Sequence, residues 1–193
     1  TMSKQLRYNE ELSSQSLKFL IQAKHTSPLE HVSMHFALTG ISRSLLAQIT
    51  RHRVGSFTSA SQHYADYRDM PLTVHSDYVE DPIVGSALRD CVESYSVLVD
   101  SGMLPEEARQ VLPNACTVNL MWTVNARSLL NFFEQRLCKR NVKEMQIVAQ
   151  TVWQEVRTYW PDFADLCGPY CYTHKGKCNQ GSMSCGVPYT GEE

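Results

Sequence analysis

The sequence has no apolar run longer than a few residues, so it offers no segment able to cross a membrane as a helix. It also lacks an excess of either charge. Eighteen Lys and Arg stand against 20 Asp and Glu, giving a net charge of -2 and a pI of about 6.4. No overall basic field is available for nucleic acid, and nucleic-acid binding is not expected. No charged segment followed by an apolar stretch opens the chain. Thr1 ahead of Met2 reads as a residue left from expression, with Met2 as the expected natural start. Nor do the cysteines make a complete set of pairs. Seven is odd, and Cys91, Cys116 and Cys138 fall in helix- or strand-like segments, which favours a reducing compartment over a disulfide framework. What is present is ordinary for a globular chain: 193 residues, 42% hydrophobic and 20% charged, enough for one domain with a real core. A cytoplasmic protein is the expectation.

Periodicity divides the chain into elements. Residues 9–24 carry Leu12, Phe19, Leu20 and Ala23 on one helical stripe, ended by Pro28, which pushes Ser27 out of the helical region. Val32, Met34, Phe36 and Leu38 alternate with polar or small residues over 32–39, which predicts a strand with one buried face. Gly40 is expected to turn the chain into a helix with Ile41, Leu45, Gln48 and His52 in line. Residues 54–82 show no period, and a patternless stretch of that length is usually functional or mobile. Leu88, Cys91, Val92, Tyr95 and Val99 mark another helix, and Pro105 opens one with Glu106 and Glu107 in its first turn. Val118, Leu120, Trp122 and Val124 alternate as a second strand. A long helical segment over 125–159 follows, with Leu129, Phe133, Met145, Val148, Val152, Val156 and Tyr159 as its apolar ridge. Arg-Ser-Leu-Leu occurs after both strands, at 43–46 and 127–130, a weak sign of a repeated strand–helix unit. The fold class expected is α+β, helix-rich with a small central antiparallel or mixed sheet.

The densest polar cluster is Arg51-His52-Arg53, expected at a helix end. Cations there complement the helix dipole and need no ligand. The sequel Val54-Gly55-Ser56-Phe57-Thr58-Ser59-Ala60-Ser61-Gln62-His63-Tyr64 adds hydroxyls and small residues that a ligand can approach closely. Guanidinium forks with hydroxyls and main-chain N–H groups make an anion cradle, and a phosphorylated small molecule is the natural guest. Asn125, Arg127, Asn131, Arg136 and Arg140 form a second cluster. Arg136 and Arg140 share a helix face, which a solvated basic surface would also explain. Asn131 and Arg136 nevertheless flank Phe132 and Phe133, and a guanidinium near a core needs an anion or carbonyl.

These residues resemble a known family, the flavin-dependent thymidylate synthases, whose hallmark is Arg-His-Arg followed by a hydroxyl-rich stretch ending in Ser-x-Arg-Tyr. It stands here as Arg51-His52-Arg53, Ser56, Ser61 and Tyr64. Agreement extends to His25-x-Ser27-Pro28-x-Glu30-His31, Ser42-Arg43-x-Leu45-x-x-Gln48, Arg109-x-Val111-Leu112-Pro113, and Thr123-Val124-Asn125-Ala126-Arg127-Ser128-Leu129, continuing through Asn131 and Phe132 to Arg136. The order over roughly 10–150 is more specific than any one motif. The resemblance implies a thymidylate synthase complementing protein fold and a homotetramer with active sites shared between subunits. It also implies FAD, NADPH and 5,10-methylenetetrahydrofolate as cofactors for C5-methylation of a uridylate. Carried over by position, Ser27, Glu30, Arg51, His52, Arg53, Ser59, Asn125, Arg127 and Asn131 contact FAD. Gln48, Arg51, Ser59, Ala60, Ser61, Gln62, His63, Arg109 and Arg136 hold the nucleotide. Arg136 matches an arginine that faces the uracil and favours its N3-deprotonated form. His25 matches a histidine near the flavin that matters for turnover. No enzyme nucleophile is needed: Ser61 has no paired base beside it, and Cys138 is expected in an apolar helical context.

Departures from the pattern gather in one loop. The family usually has Glu or Gln where Ser59 stands, Arg where His63 stands, and Asn or Ser at Thr58. A histidine cannot replace a bidentate fork, and a short side chain at 59 opens space near the sugar. Both changes suit a ribonucleotide, so UMP is expected alongside dUMP, as in a UMP-methylating branch linked to nucleoside-antibiotic synthesis. The expected division is a methyltransferase domain over 1–165 and a Cys-rich tail over 166–193. Cys167, Cys171, Cys178 and Cys185, with His174 among them, could clip a structural zinc. Their gaps of three, six and six residues are not the paired spacing of zinc ribbons, and no metal site is assigned. The rival from another class is a non-catalytic flavin- or nucleotide-binding relative of the same fold.

Overall fold

The structure, a computed structural model, describes residues 10–63 and 66–189. Its elements are α1 (Glu10–Gln22), β1 (Ser33–Ser42), α2 (Arg43–Ile49), β2 (Gly55–Ser59), α3 (Pro82–Asp100), α4 (Pro105–Ala108), β3 (Thr117–Asn125), α5 (Ala126–Arg136), α6 (Lys143–Tyr159), α7 (Pro161–Ala164) and α8 (Tyr170–Thr173). Short 3-10 turns sit at Ser27–His31, Ser76–Tyr78, Arg109–Val111 and Gly181–Met183. The fold is α+β, helix-rich with a small antiparallel sheet in the order β1-β3-β2. Among the described residues no helix is long and apolar enough to cross a membrane. Met2 and Tyr64 lie outside the described residues, as does the side chain of Leu12.

The chain separates into two compact units, divided between Ser33 and Met34 and between Val124 and Asn125. The 34–124 unit is built on the sheet. In the central strand β3 the alternating Val118, Leu120, Trp122 and Val124 are all buried, as the period-2 pattern predicts. Phe36 and Phe57 both pack on Trp122, at ring distances of 5.5 and 6.2 Å. β1 is an edge strand, so Met34, Phe36 and Leu38 are only half-buried. Val32 precedes the strand and is exposed. Tyr67, Tyr95 of α3, Ala108 and Cys116 form a further core in this unit.

The other unit stacks helices. α6 buries Met145, Ala149, Val152 and Val156 along one face, a spacing of four, three and four residues. α5 contributes Ala126, Leu129, Phe132 and Phe133, and α7 contributes Phe163 and Ala164. Each fully buried Val, Leu, Met or Phe adds roughly 1.5–3 kcal/mol relative to exposure. Trp153 Nε1 donates to the Ala164 carbonyl at 3.0 Å and Trp160 stacks on Phe163, tying α6 to α7.

Several expectations are corrected. Residues 54–82 include a strand: β2 pairs antiparallel with β3 from Gly55↔Val124 to Ser59↔Leu120. Gly-Ser-Phe-Thr-Ser has one large apolar residue, so its pairing comes from the β3 ladder and not from alternation. Gly40 lies inside β1 at φ 71°, and Ser42 starts α2 by accepting from the Leu45 N–H at 3.0 Å. α2 stops at Ile49, so Arg51, His52 and Arg53 sit in the turn beyond it. The 125–159 helix is two helices. Asn141 Nδ2 donates to the carbonyls of Gln135, Arg136 and Cys138 in the linker, satisfying groups a continuous helix would have used. Cys138 therefore lies in that linker, not in a helix. Tyr159 is 84% and Phe19 64% exposed, whereas Leu17 is buried in α1.

β1 and β3 each feed a helix through a polar cap, Asn125 Oδ1 accepting from the Ser128 N–H at 2.8 Å as Ser42 Oγ accepts from the Leu45 N–H. The two Arg-Ser-Leu-Leu runs stand one position apart in their distance from the cap. Arg43 directly follows its cap, whereas Arg127 stands one residue further on.

Candidate functional site

The sequence-predicted residues fall in both units. In the 34–124 unit, the α2 end places Gln48 half-buried, His52 buried at 7% exposure, and Arg51 and Arg53 exposed. Val54 follows at φ 64° and is 71% exposed. A β-branched residue in the left-handed region is disfavoured by Cβ–carbonyl crowding, and such strain gathers at functional sites. At Gly55 a Cβ would stand 3.1 Å from Trp122 Nε1 and 3.2 Å from the Thr123 carbonyl, so glycine is what lets β2 close on β3. The turn thus sets two guanidinium groups just ahead of a strand that carries Ser56, Thr58 and Ser59.

Beyond β2 the 59–63 segment is held at four points. The Ala60 N–H donates to the Asn119 carbonyl at 3.3 Å, and Arg43 Nη2 donates to the Ala60 carbonyl at 3.0 Å. The His63 N–H closes a tight turn on Ser61 Oγ at 3.1 Å. His63 Nδ1 lies 2.7 Å from Glu106 Oε2, at the first turn of α4. Arg109, half-buried, stands three residues after Glu106 in the 3-10 turn that continues α4. The structure therefore brings His63 to the turn that carries Arg109. Arg43 also donates to Tyr67 OH at 3.2 Å, so one guanidinium holds both Ala60 and Tyr67.

In the other unit, α1 ends with Lys24 at φ 60° and the His25 N–H returning to the Leu20 carbonyl at 2.8 Å, which leaves His25 exposed. Pro28 starts the Ser27–His31 turn, and Glu30 on it pairs with Arg127 of α5. The Ala126 N–H donates to the Val32 carbonyl at 2.8 Å and fixes the start of α5 beside that turn. Ser27, Glu30, Arg127 and Asn131 are exposed, and Asn131 accepts from Gln135 Nε2 at 3.0 Å. Asn125 spends its carbonyl oxygen on the helix cap. Arg136 is nine residues beyond Arg127, which turns it to the opposite side of α5. It is half-buried and donates to Asn141 Oδ1 at 3.1 Å.

Sequence reasoning missed Glu106, Arg43 and Asn141 as supports of the predicted residues. Glu106 and Arg43 stood in the sequence as a first-turn acid and as part of a repeat; Asn141 carried no signal, because the hydrophobic period runs on past the end of α5 that it caps. Cys167, Cys171, Cys178 and Cys185 of the tail, with Cys138 of the α5–α6 linker, line one cavity of about 1000 Å³ on α6. Burial pushes the Cys167 thiol far up, and its Sγ donates to the Phe163 carbonyl. Cys178 is exposed, and hydrogen bonds from the Ser184 hydroxyl and the Gln180 N–H hold its thiol below the usual range. Among the described residues no three His, Cys, Asp or Glu side chains are grouped to hold a metal.

Comparison with known proteins matches residues 2–162 to a family described as thymidylate synthase complementing protein. A flavin-dependent thymidylate synthase of Geobacter sulfurreducens is 37% identical over 168 residues, covering 84% of this chain and 72% of the relative. One of Clostridium tetani is 34% identical over 198 residues, covering 92% and 79%. One of Nitratidesulfovibrio vulgaris is 34% identical over 189 residues, covering 86% and 73%.

Proposed function

Since the chain belongs to the thymidylate synthase complementing protein family, we propose that it catalyses flavin-dependent reductive methylation at C5 of a uridine monophosphate. The one-carbon donor is 5,10-methylenetetrahydrofolate and the reductant is NADPH. The observation that carries this reading is the strained Arg51–Gly55 turn. It holds two exposed guanidinium groups ahead of a hydroxyl-bearing strand and a loop anchored beside Arg109.

The donor set fits FAD. Guanidinium forks suit a diphosphate, and side-chain amides suit the carbonyl and imide edge of a flavin ring. Ser27, Glu30, Arg51, His52, Arg53, Ser59, Asn125, Arg127 and Asn131 are the residues assigned to it. Bound flavin supplies the hydride that the reduction requires. His25 is assigned a place beside it, in keeping with its exposed position at the end of α1. Gln48, Arg51, residues 59–63, Arg109 and Arg136 are assigned to the nucleotide.

Arg136 is the charge-stabilising residue. A guanidinium stays protonated at any working pH, and half-burial strengthens its attraction for negative charge gathering on the uracil ring. Asn141 Oδ1 holds one of its nitrogens, so the fork is oriented before substrate arrives. Attack by an enzyme nucleophile is not required. Ser61 Oγ is engaged in its own turn with the His63 N–H.

Residues 1–165 form the methyltransferase domain and 166–193 a Cys-rich tail, a division supported by a family match that ends at residue 162. The working form is a cytoplasmic homotetramer with shared sites. Ser59 and His63 make UMP a substrate at least as good as dUMP. Turnover of each nucleotide with FAD, NADPH and methylenetetrahydrofolate, read by product mass, tests this. A methyl gain on UMP is expected. A gain on dUMP alone reduces Ser59 and His63 to tolerated variation, and no gain on either with flavin bound favours a non-catalytic relative.

A further inference from the structure

Glu106 has no part in the function proposed above, yet it pairs with His63. Its Oε2 lies 2.7 Å from His63 Nδ1. Both partners are on fixed backbone. α4 begins at Pro105, its Glu107 and Ala108 N–H groups return to the Leu104 carbonyl at 2.9 Å, and Ala108 is fully buried, so Glu106 cannot slide along the surface. On the other side, Ala60 is held through both its N–H and its carbonyl, and the His63 N–H is held by Ser61. Glu106 and Arg109, three residues apart, share one face of their helical turn. The ion pair therefore brings the 59–63 segment to the Arg109 turn.

Two consequences follow from elementary chemistry. A carboxylate accepting from Nδ1–H fixes the ring orientation and makes Nε2 the nitrogen that meets a ligand. The pair as a whole is neutral if the imidazole is protonated and anionic if it is not. It is never cationic, unlike the arginine usual in the family. Such a group suits a hydroxyl better than a phosphate, because a hydroxyl can donate to or accept from Nε2 in either state.

We propose that Glu106 is a positioning residue which, by holding His63, lets the nucleotide site engage the sugar hydroxyl that distinguishes UMP from dUMP. This rests on the assignment of residues 59–63 to a uridine nucleotide. No atom of Glu106 needs to touch the substrate. Its effect appears in discrimination between the two sugars and not in the chemical step.

The test is calorimetric binding and steady-state turnover of UMP and dUMP by the flavin-loaded enzyme, with Glu106→Ala, Glu106→Gln and His63→Arg. Glu106→Ala is expected to lower the UMP-to-dUMP preference about three- to tenfold, the scale of one hydrogen bond, through Kd and KM with kcat on either nucleotide little changed. Glu106→Gln keeps an acceptor for Nδ1–H and should recover most of that preference. His63→Arg should bring a similar loss, with no further loss when Glu106→Ala is added, because the two residues act through one contact. An unchanged preference in a folded Glu106→Ala variant overturns the proposal while leaving the methyltransferase reading intact. Equal losses for both nucleotides without recovery in Glu106→Gln overturn it in favour of a structural role. Wild-type enzyme that binds neither nucleotide defeats both readings together.

Discussion

At the scale of single residues, the same side-chain type takes different roles according to burial and neighbours. Arg43 is spent on the Ala60 carbonyl and Tyr67 OH, whereas Arg127 meets Glu30 at the surface. Exposed ion pairs of the second kind are worth about 0–1 kcal/mol, so the Glu30–Arg127 contact is better read as orientation than as stability. The cysteines divide similarly. Burial raises Cys167 and Cys116, while donated hydrogen bonds lower the exposed Cys178. The thiolate is the nucleophile, and a lowered thiol reaches it at lower pH. Iodoacetamide should therefore label Cys178 first, its rate climbing with pH ahead of that of an unstructured cysteine peptide, with Cys167 and Cys116 last. Site-by-site mass spectrometry over pH 6–9 checks the order, and Cys167 labelled as early as Cys178 would contradict it.

At the scale of elements, the junction of α5 and α6 matters most for the candidate site. A continuous hydrophobic period across 129–156 suggested one helix, because periodicity registers which residues are buried and is blind to a six-residue break that preserves the buried face. The break is what lets Asn141 meet Arg136, since Asn141 can fold back on the last turn of α5 only after the helix has ended. Asn141→Ala removes three donated hydrogen bonds and the acceptor for Arg136. It should destabilise the protein by about 1–3 kcal/mol, the range for partly exposed hydrogen bonds lost together, and reduce kcat more than it raises KM. Thermal melting beside steady-state kinetics checks this; a lower Tm with unaltered kcat would separate the junction from catalysis. β2 illustrates the opposite case. Its Gly-Ser-Phe-Thr-Ser sequence has little strand preference, and pairing with β3 imposes one.

At the scale of the whole molecule, the residues assigned to flavin and nucleotide are shared between two compact units that interleave along the chain, one taking 10–33 and 125–189, the other 34–63 and 66–124. The proposed homotetramer should appear by light scattering at about four times 22.0 kDa. Saturating FAD should raise its melting temperature, since a ligand at 100 times its Kd stabilises by about 2.7 kcal/mol. A monomer that binds FAD and turns over at the rate of the assembled enzyme would refute shared sites.

The family, the α+β class, the buried strand β3 and the helical segments were legible in the sequence. Alternation and 3.6-residue periods report burial directly, and ordered motifs survive as strings of residue types. The caps Ser42 and Asn125 were not read from the sequence, which pointed to Gly40 as the start of α2. What only tertiary structure decided were the contact between distant positions that joins Glu106 to His63 and the half-exposure of β1 at a sheet edge. These depend on which segments meet in space, and no local period encodes that. The left-handed Val54 belongs with them, because its own propensity opposes the conformation it adopts and the surrounding structure must impose it.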